Sequence, residues 1–446
     1  MELRTNDQTQ GRIRTLLGSI YFKLTVIFII VVLLMIPKSL IQELVNEREY
    51  RREEVVQEVS AKWARTQEVT GPVIVIPYEE EYKLKDDDEV LYFRTKYIKV
   101  LPETLKIAGE IVPHTLSRSL YEVLLYEGNL AIEGSFLLPD ILGFEIDLQL
   151  LHPENAILMF GVNDMRGIEE RMDLAFGSKN YSMDPGVPVP TFFKAGLHVK
   201  LELDMDQKKA IPFSLNLKLR GSDQLMFYPL GRVTEVELTS EWPSPSFTGA
   251  FLPDDRDVGA DGFSANWSVL DLNRNFPQNW IGDSYSISGS AFGLTLLNTA
   301  GGYQKTFRST KYALLIIGLT FLLFFFYEVI KGQRIHPMQY ILVGLALTIF
   351  YFLLISLSEH IGFDKAYVVA AIGTIGLITT YMAHVFSNRF VLILLALMLI
   401  ALFTYLFVLL QLETFALLVG SIGLFVILAI VMWVSRKIDW YDLRKE

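Results

Sequence analysis

Ser356, Glu359 and His360 are spaced i, i+3, i+4 in SLSEH, a pattern that on a helix places them on one face, where they could handle a proton or bind a lipid headgroup. Interfacial hydrogen bonding between helices is the plainer use of the same three groups. Glu328, at the end of an apolar run, is expected to pair with Lys331 three residues on or with Arg334, because an unpaired carboxylate in lipid is costly. His336 precedes Pro337, and a proline suits the first position of a helix, so His336 is expected as a cap or interface residue. Together these five form a set of polar contacts at the two faces of a membrane: Glu328 and His336 at one, Ser356, Glu359 and His360 at the other. No carboxylate falls at mid-membrane, which weakens a proton-relay or ion-transport reading.

Two further strings offer ligands. Asp254, Asp255, Asp257 and Asp261 stand beside Gly259 and Gly262 in the manner of a calcium loop, but the bidentate Glu required at the twelfth position is replaced by Asn266. GVNDMRGIEERM (161–172) presents Asp164, Arg166 and Glu169, which could cradle a ligand or cap one short helix after a strand. The six histidines are scattered, and no HExxH, HxxEH or GxSxG string occurs. With no cysteine there is no disulfide, thiol nucleophile or thiolate metal site. The sequence therefore assigns no catalytic residue, no cofactor and no metal, and the expectation is a protein that is not an enzyme.

The elements that must hold these residues follow from the hydropathy. The chain has 446 residues, 51% apolar and 20% charged, with a mean hydropathy of +0.33, values that imply two phases. Its net charge of −10 gives no electrostatic footprint for nucleic acid and excludes that partner. Apolar stretches long enough to cross a bilayer lie at 20–41, 312–330, 339–357, 366–386, 390–410 and 413–434. The first follows Arg4, Arg12 and Arg14 but has no cleavage site after it, so it reads as an uncleaved signal anchor. Lys23 and Lys38 near its ends are expected only to pass their stems along apolar surface to the interface. Tyr21, Tyr312, Tyr327, Tyr340, Tyr367, Tyr381 and Trp433, near span ends, are expected as headgroup-level anchors.

Arg4, Arg12, Arg14, Lys23, Lys331, Arg334, Arg389, Arg436, Lys437, Arg444 and Lys445 stand at one side of the apolar stretches, and only Lys38, Lys311 and Lys365 at the other. The positive-inside rule then puts both termini in the cytoplasm and residues 42–310 outside it. That outer segment holds 26 basic and 41 acidic residues. It begins with a charged amphipathic stalk helix at 42–66, with Val55, Val56, Val59 and Trp63 on one stripe. From about 67 to 310 the period changes to two. HVKLELDMD and PFSLNLKLRG alternate apolar with polar residues and read as half-buried antiparallel strands joined as a hairpin through DQKKAIP. Further runs such as VIVIPY and YEVLLY bring the number to ten or more, enough for a β sandwich, one module or two. The stretch 242–280, rich in Pro, Gly and aromatics, is expected as a long loop folded over a sheet edge. The fold class is thus six transmembrane helices, five of them at 311–434, with a large all-β, sandwich-like periplasmic domain between the first and second.

Several strings in this order resemble the inner membrane protein CreD family: GPVIVIPY, WPSPSFTGAFLP with GFSANW, TKYALLIIGLTFLLFFFYE, HPMQYILVGLALTIFYFLLISLSEHIGF and RKIDWYDL. The resemblance covers almost the whole chain. It implies a multi-pass protein of the bacterial inner membrane linked to cell envelope integrity, envelope stress and tolerance of a colicin, and it brings no catalytic residues.

The resulting expectation is a non-catalytic membrane protein whose β domain contacts envelope components and whose helices sit among membrane lipids. The alternative is a transporter or lipid-handling channel formed by helices 2–6, with Glu328, Glu359 and His360 as polar contacts. An enzyme acting on a lipid-linked substrate has the least support, since no nucleophile, base and oxyanion donor stand at a familiar spacing. Oligomeric state is not legible.

Overall fold

The computed structural model describes residues 20–84, 87–139, 146, 148–189, 193–205, 209–296, 302–331, 335–386, 388–412 and 415–436. The tail 1–19, residues 437–446, Arg334 and residues 206–208 of the expected turn lie outside the described residues. The chain divides into two compact units, residues 53–299 and residues 1–52 with 300–446. Helix α1 (Ile20–Trp63) runs through Pro37 and unites the expected anchor and stalk, and after the last strand helix resumes at Gly302.

The unit of residues 53–299 is built on two sheets. One has eight strands in the order β14 (Asp255–Gly259), β15 (Gly262–Leu270), β12 (Val233–Ser240), β3 (Thr104–Arg118), β4 (Tyr121–Phe136), β10 (Ile211–Ser222), β6 (Asp173–Phe176) and β7 (Lys179–Ser182). The other runs β13 (Pro245–Gly249), β17 (Phe292–Leu296), β11 (Gln224–Phe227), β1 (Gln67–Leu84), β5 (Ala156–Val162), β9 (Gly196–Leu201) and β8 (Asp184–Pro185). To its β1 is added β2 (Asp87–Val100), and to β2 is added β16 (Asn279–Ile281). Most pairings are antiparallel, but β1 with β11 and β12 with β3 are parallel.

Alternation decides which side of each strand is buried. In β10, Ile211, Phe213, Leu215, Leu217 and Leu219 are buried while Pro212, Ser214, Asn216 and Lys218 are exposed. The inward residues of both sheets form one apolar core, and Trp267 of one sheet meets Phe292 of the other with ring centroids 5.9 Å apart. The arrangement is a sandwich.

Two expectations are corrected here. The runs HVKLELDMD and PFSLNLKLRG do not form a hairpin: β9 pairs with β5 and β8, whereas β10 pairs with β4 and β6 in the opposite sheet. Each has one apolar face, and crossing between sheets lets both faces meet the same core. The stretch 242–280 is not a long loop, since it contains β13, β14, β15 and β16. In β15, Phe263, Ala265, Trp267 and Val269 point inward between Ser264, Asn266 and Ser268.

The last turns of α1 belong to this unit. Val59, with Val55, Val56 and Trp63, packs on Val123 and Leu125 of β4, and Glu58 pairs with Arg118 at 2.9 Å. The apolar stripe read from the sequence is the face that is covered.

The second unit is helical: the first part of α1, then α2 (Gly302–Lys311), α3 (Ala313–Lys331), α4 (Pro337–Ile361), α5 (Phe363–Met382), α6 (Arg389–Gln411) and α7 (Ala416–Ser435). Among the described residues six segments are long and apolar enough to cross a membrane, α2 and α3 counting as one. The unit's core is aromatic, with Phe350 packed edge-on against Tyr351, Tyr367 and Phe403. Ile30, Leu34, Ile41 and Val45 of α1 are buried against the bundle, and Gly344 of α4 leaves the space that Leu34 fills. Tyr327, Tyr340 and Tyr367 are buried among the helices rather than turned outward as anchors, and the Tyr367 hydroxyl donates to the Phe403 carbonyl at 2.8 Å. No residue of α7 is buried.

Candidate functional site

The helical unit carries two polar layers, and α1 takes part in both. In the first, Lys23 Nζ donates to Glu328 Oε1 at 2.7 Å, and the same oxygen accepts the Ile335 backbone N–H at 3.3 Å. Glu328 is buried. The expected partner Lys331 is exposed, and Arg334 lies outside the described residues. A carboxylate turned into the bundle meets the lysine of the neighbouring helix, so Lys23 is a counter-ion rather than a bystander. His336 caps α4: its Nδ1 accepts the Met338 N–H at 3.2 Å, while Gln339 Oε1 accepts the His336 N–H at 3.1 Å. With Pro337 at the first helical position, the orphan donors of the helix start are satisfied locally.

In the second layer Arg48 lies 3.8 Å from Glu359. Gln411 Nε2 donates to Asp364 at 2.6 Å, Lys305 donates to Gln411 Oε1 at 2.8 Å, and Arg308 donates to the Leu410 carbonyl at 3.2 Å. The Ser356, Glu359, His360 grouping does not converge. Adjacent residues are about 100° apart around a helix, so Glu359 turns to α1 while Ser356 and His360 are exposed. Lys23 and Arg48 are 25 residues apart in one helix, about 38 Å of rise, close to a hydrocarbon core plus its interfaces. The two ion pairs therefore bracket the apolar length of α1.

Within the sandwich, the GVNDMRG segment closes on itself. Asp164 caps a turn at Met165–Gly167, accepting from the Arg166 N–H at 3.2 Å, from the Arg166 guanidinium at 2.6 Å and from the Arg65 N–H at 3.0 Å. The Arg166 hydrogen bond, helped by the two backbone donors, holds the Asp164 carboxyl down at about 2 despite partial burial. Buried Gln67 donates to the carbonyls of Asp164 (3.0 Å) and Arg220 (2.8 Å). Glu169 pairs with Arg220 at 2.5 Å, and that guanidinium lies over the Trp63 ring at 4.3 Å. These residues fasten the end of α1 and the start of β1 to the sheet. The aspartates of 254–261 lie on or beside the exposed edge strand β14, with Asp254 accepting from the Ser268 N–H at 2.7 Å. Among the described residues no three His, Asp or Glu side chains stand close enough to hold a metal.

The feature that motif reading missed is the outer face of the eight-stranded sheet. Register aligns Glu237, Ala108, Ala131 and Asn216 in one row across β12, β3, β4 and β10, and Thr239, Glu110, Asn129 and Lys218 in the next. Small side chains make the floor and longer polar ones the walls of a trough of about 770 Å³. The only signal in the sequence is the run of small or polar residues at the outward positions of separate strands. Such a surface offers hydrogen-bond donors, acceptors and both signs of charge to an extended polar partner. A second such feature is Arg274, whose guanidinium lies over the Phe276 ring at 4.4 Å and is pushed down to about 10 by burial.

Comparison with known proteins gives two findings. The family described as "Inner membrane protein CreD" matches residues 19–441. The Inner membrane protein CreD of Escherichia coli (strain K12) is 33% identical over 427 residues, 95% of this chain and 94% of that protein.

Proposed function

Since the chain belongs to the CreD family of inner membrane proteins, we propose that it is an envelope-integrity protein that acts by binding rather than catalysis. Its sandwich lies on the periplasmic side, both termini are cytoplasmic, and the outer trough receives envelope components. The same contacts serve the stress response and tolerance of a colicin. The distribution of Lys and Arg between the short loops supports this orientation.

The observation that carries the reading is the trough. Glu110, Glu237 and Lys218 stand at strand register, on the outward side of a continuous sheet, with Ala108 and Ala131 as an open floor. That geometry suits a broad, polar contact area. A reaction centre would need a nucleophile, its base and an oxyanion donor converging on one point.

A photocrosslinking residue placed at Asn216 in intact cells is expected to capture a discrete envelope component, and the same residue at Leu272, which is 87% exposed, is expected not to. Equal labelling from the two positions would remove the trough from the argument. Protease added to spheroplasts should cut within residues 53–299; protection of that whole segment would defeat the orientation.

A further inference from the structure

Between α3, α6 and α7 the helical unit leaves an apolar crevice of about 470 Å³, within the range of ligand sites. Its walls are leucines such as Leu315, Leu319, Leu406 and Leu424, and Lys311 and Tyr312 stand at one end. The crevice follows the chain from Lys311 at the end of α2 to Leu319 in α3, about 12 Å at the helical rise.

Two observations point to an occupant. Among the described residues, and apart from the chain on either side of it in its own helix, no atom lies within 4 Å of the position a Cβ at Gly318 would take, although Gly318 lines the crevice. Glycine weakens a helix interior relative to alanine, and here no neighbouring helix requires the space. The second observation is charge. Helix α2, GYQKTFRSTK, ends at the crevice and carries Lys305, Arg308 and Lys311 without an acidic residue. Lys305 is engaged by Gln411 and Arg308 by a backbone carbonyl. Lys311 is exposed, its Nζ rests over the Phe307 ring at 4.7 Å, and among the described residues it forms no ion pair. A cation at the mouth of an apolar slot in a membrane-spanning bundle complements an anion joined to a hydrocarbon chain.

We infer that this crevice is a binding site for an anionic phospholipid, with one acyl chain lying against Gly318 between α3, α6 and α7 and the phosphate held by Lys311. Tyr405 shapes the slot, since its hydroxyl donates to the Val419 carbonyl at 3.0 Å and so sets α7 beside α6. The site is separate from the trough of the sandwich and independent of its role.

The test uses the full chain, purified in detergent and incubated with dioleoylphosphatidylglycerol or dioleoylphosphatidylcholine, with retained lipid counted by native mass spectrometry. Wild type is expected to hold one phosphatidylglycerol in preference to phosphatidylcholine. Lys311→Gln should lower that preference about fivefold, the worth of one cation near an anionic headgroup, and Lys311→Arg should keep it. Gly318→Leu fills the slot without meeting another residue at its root and should remove the lipid while the protein stays folded. Leu314→Trp, from a half-exposed position on the crevice wall, does the same by an independent route. Equal retention of the two lipids by wild type, or undiminished phosphatidylglycerol in the folded Gly318→Leu or Leu314→Trp protein, would overturn the assignment.

Discussion

Lys23 Nζ and Glu328 Oε1 lie 2.7 Å apart, and although 305 positions separate them in sequence they tie α1 to the end of α3. Glu328 is 5% exposed and Lys23 25%, so water screens this pair little. Its partners are unequal: the carboxylate depends on the lysine and on one backbone N–H, whereas the lysine can still reach toward water.

Removing one partner of a buried pair leaves the other charge uncompensated, at about 3–5 kcal/mol. Lys23→Met is therefore expected to destabilise the folded protein by about that amount, and Lys23→Met with Glu328→Met to recover most of it. Thermal unfolding of the four proteins of this cycle in detergent measures both terms. Additive losses would show that the two side chains do not act on each other.

The pair at the opposite layer is weaker. Arg48 and Glu359 are 3.8 Å apart and Arg48 is 38% exposed. Glu359→Gln should cost less than about 1 kcal/mol, as for partly solvated pairs. Under the same unfolding protocol, a loss as large as that of Lys23→Met would reverse the ranking of the two layers.

Asp164 gives the sandwich an acid sensitivity. Its carboxyl is lowered from 3.8 to about 2 by Arg166 and by the Arg65 and Arg166 N–H groups. Because the folded value is the lower one, the stabilisation is fully present above about pH 4 and is lost as the pH falls through 2; it amounts to about 2 kcal/mol. Denaturant unfolding monitored by tryptophan fluorescence between pH 5 and 2 should show that loss in wild type and a shallower one in Asp164→Asn. Identical pH profiles would assign the sensitivity elsewhere.

Trp267 joins the two sheets through Phe247 and Phe292. Trp267→Ala should destabilise the sandwich by about 3–5 kcal/mol, while Leu272→Ala, at an exposed position, should change it by less than about 0.5 kcal/mol. Denaturation midpoints of the two variants compare them directly, and similar midpoints would contradict a core shared by both sheets.

The parts of this molecule that the sequence made legible are those governed by local period. Eighteen or more apolar residues reveal a span whatever its neighbours, and the strict alternation of β10 reveals its inward face. β15 escaped because one of its four inward residues is Ala265 and its flanks carry glycine and proline, so a strand resembled a loop. Pairing was illegible for another reason: β9 and β10 each show one apolar side, and nothing in either says whether it faces its neighbour's edge or the opposite sheet. The expected contacts divide in the same way. The cap at His336 is set by residues three apart and was readable, whereas Lys23 with Glu328 depends on the packing of helices distant in sequence. The spacing of Ser356, Glu359 and His360 puts them on one broad helical face, but one step along the helix separates Glu359 from His360 by more than a quarter turn, so only Glu359 meets α1.

No residue of α7 is buried and none belongs to the apolar core of the other helices; its attachment to α6 runs through Tyr405 and the close approaches at Gly420 and Gly423. A rod fastened this way is detachable. Shortening the chain after Gln411 would leave the aromatic core around Phe350 untouched and open the crevice beside Lys311 along one whole side, so the cost of losing this segment falls on the lipid site and not on the packing of the other helices.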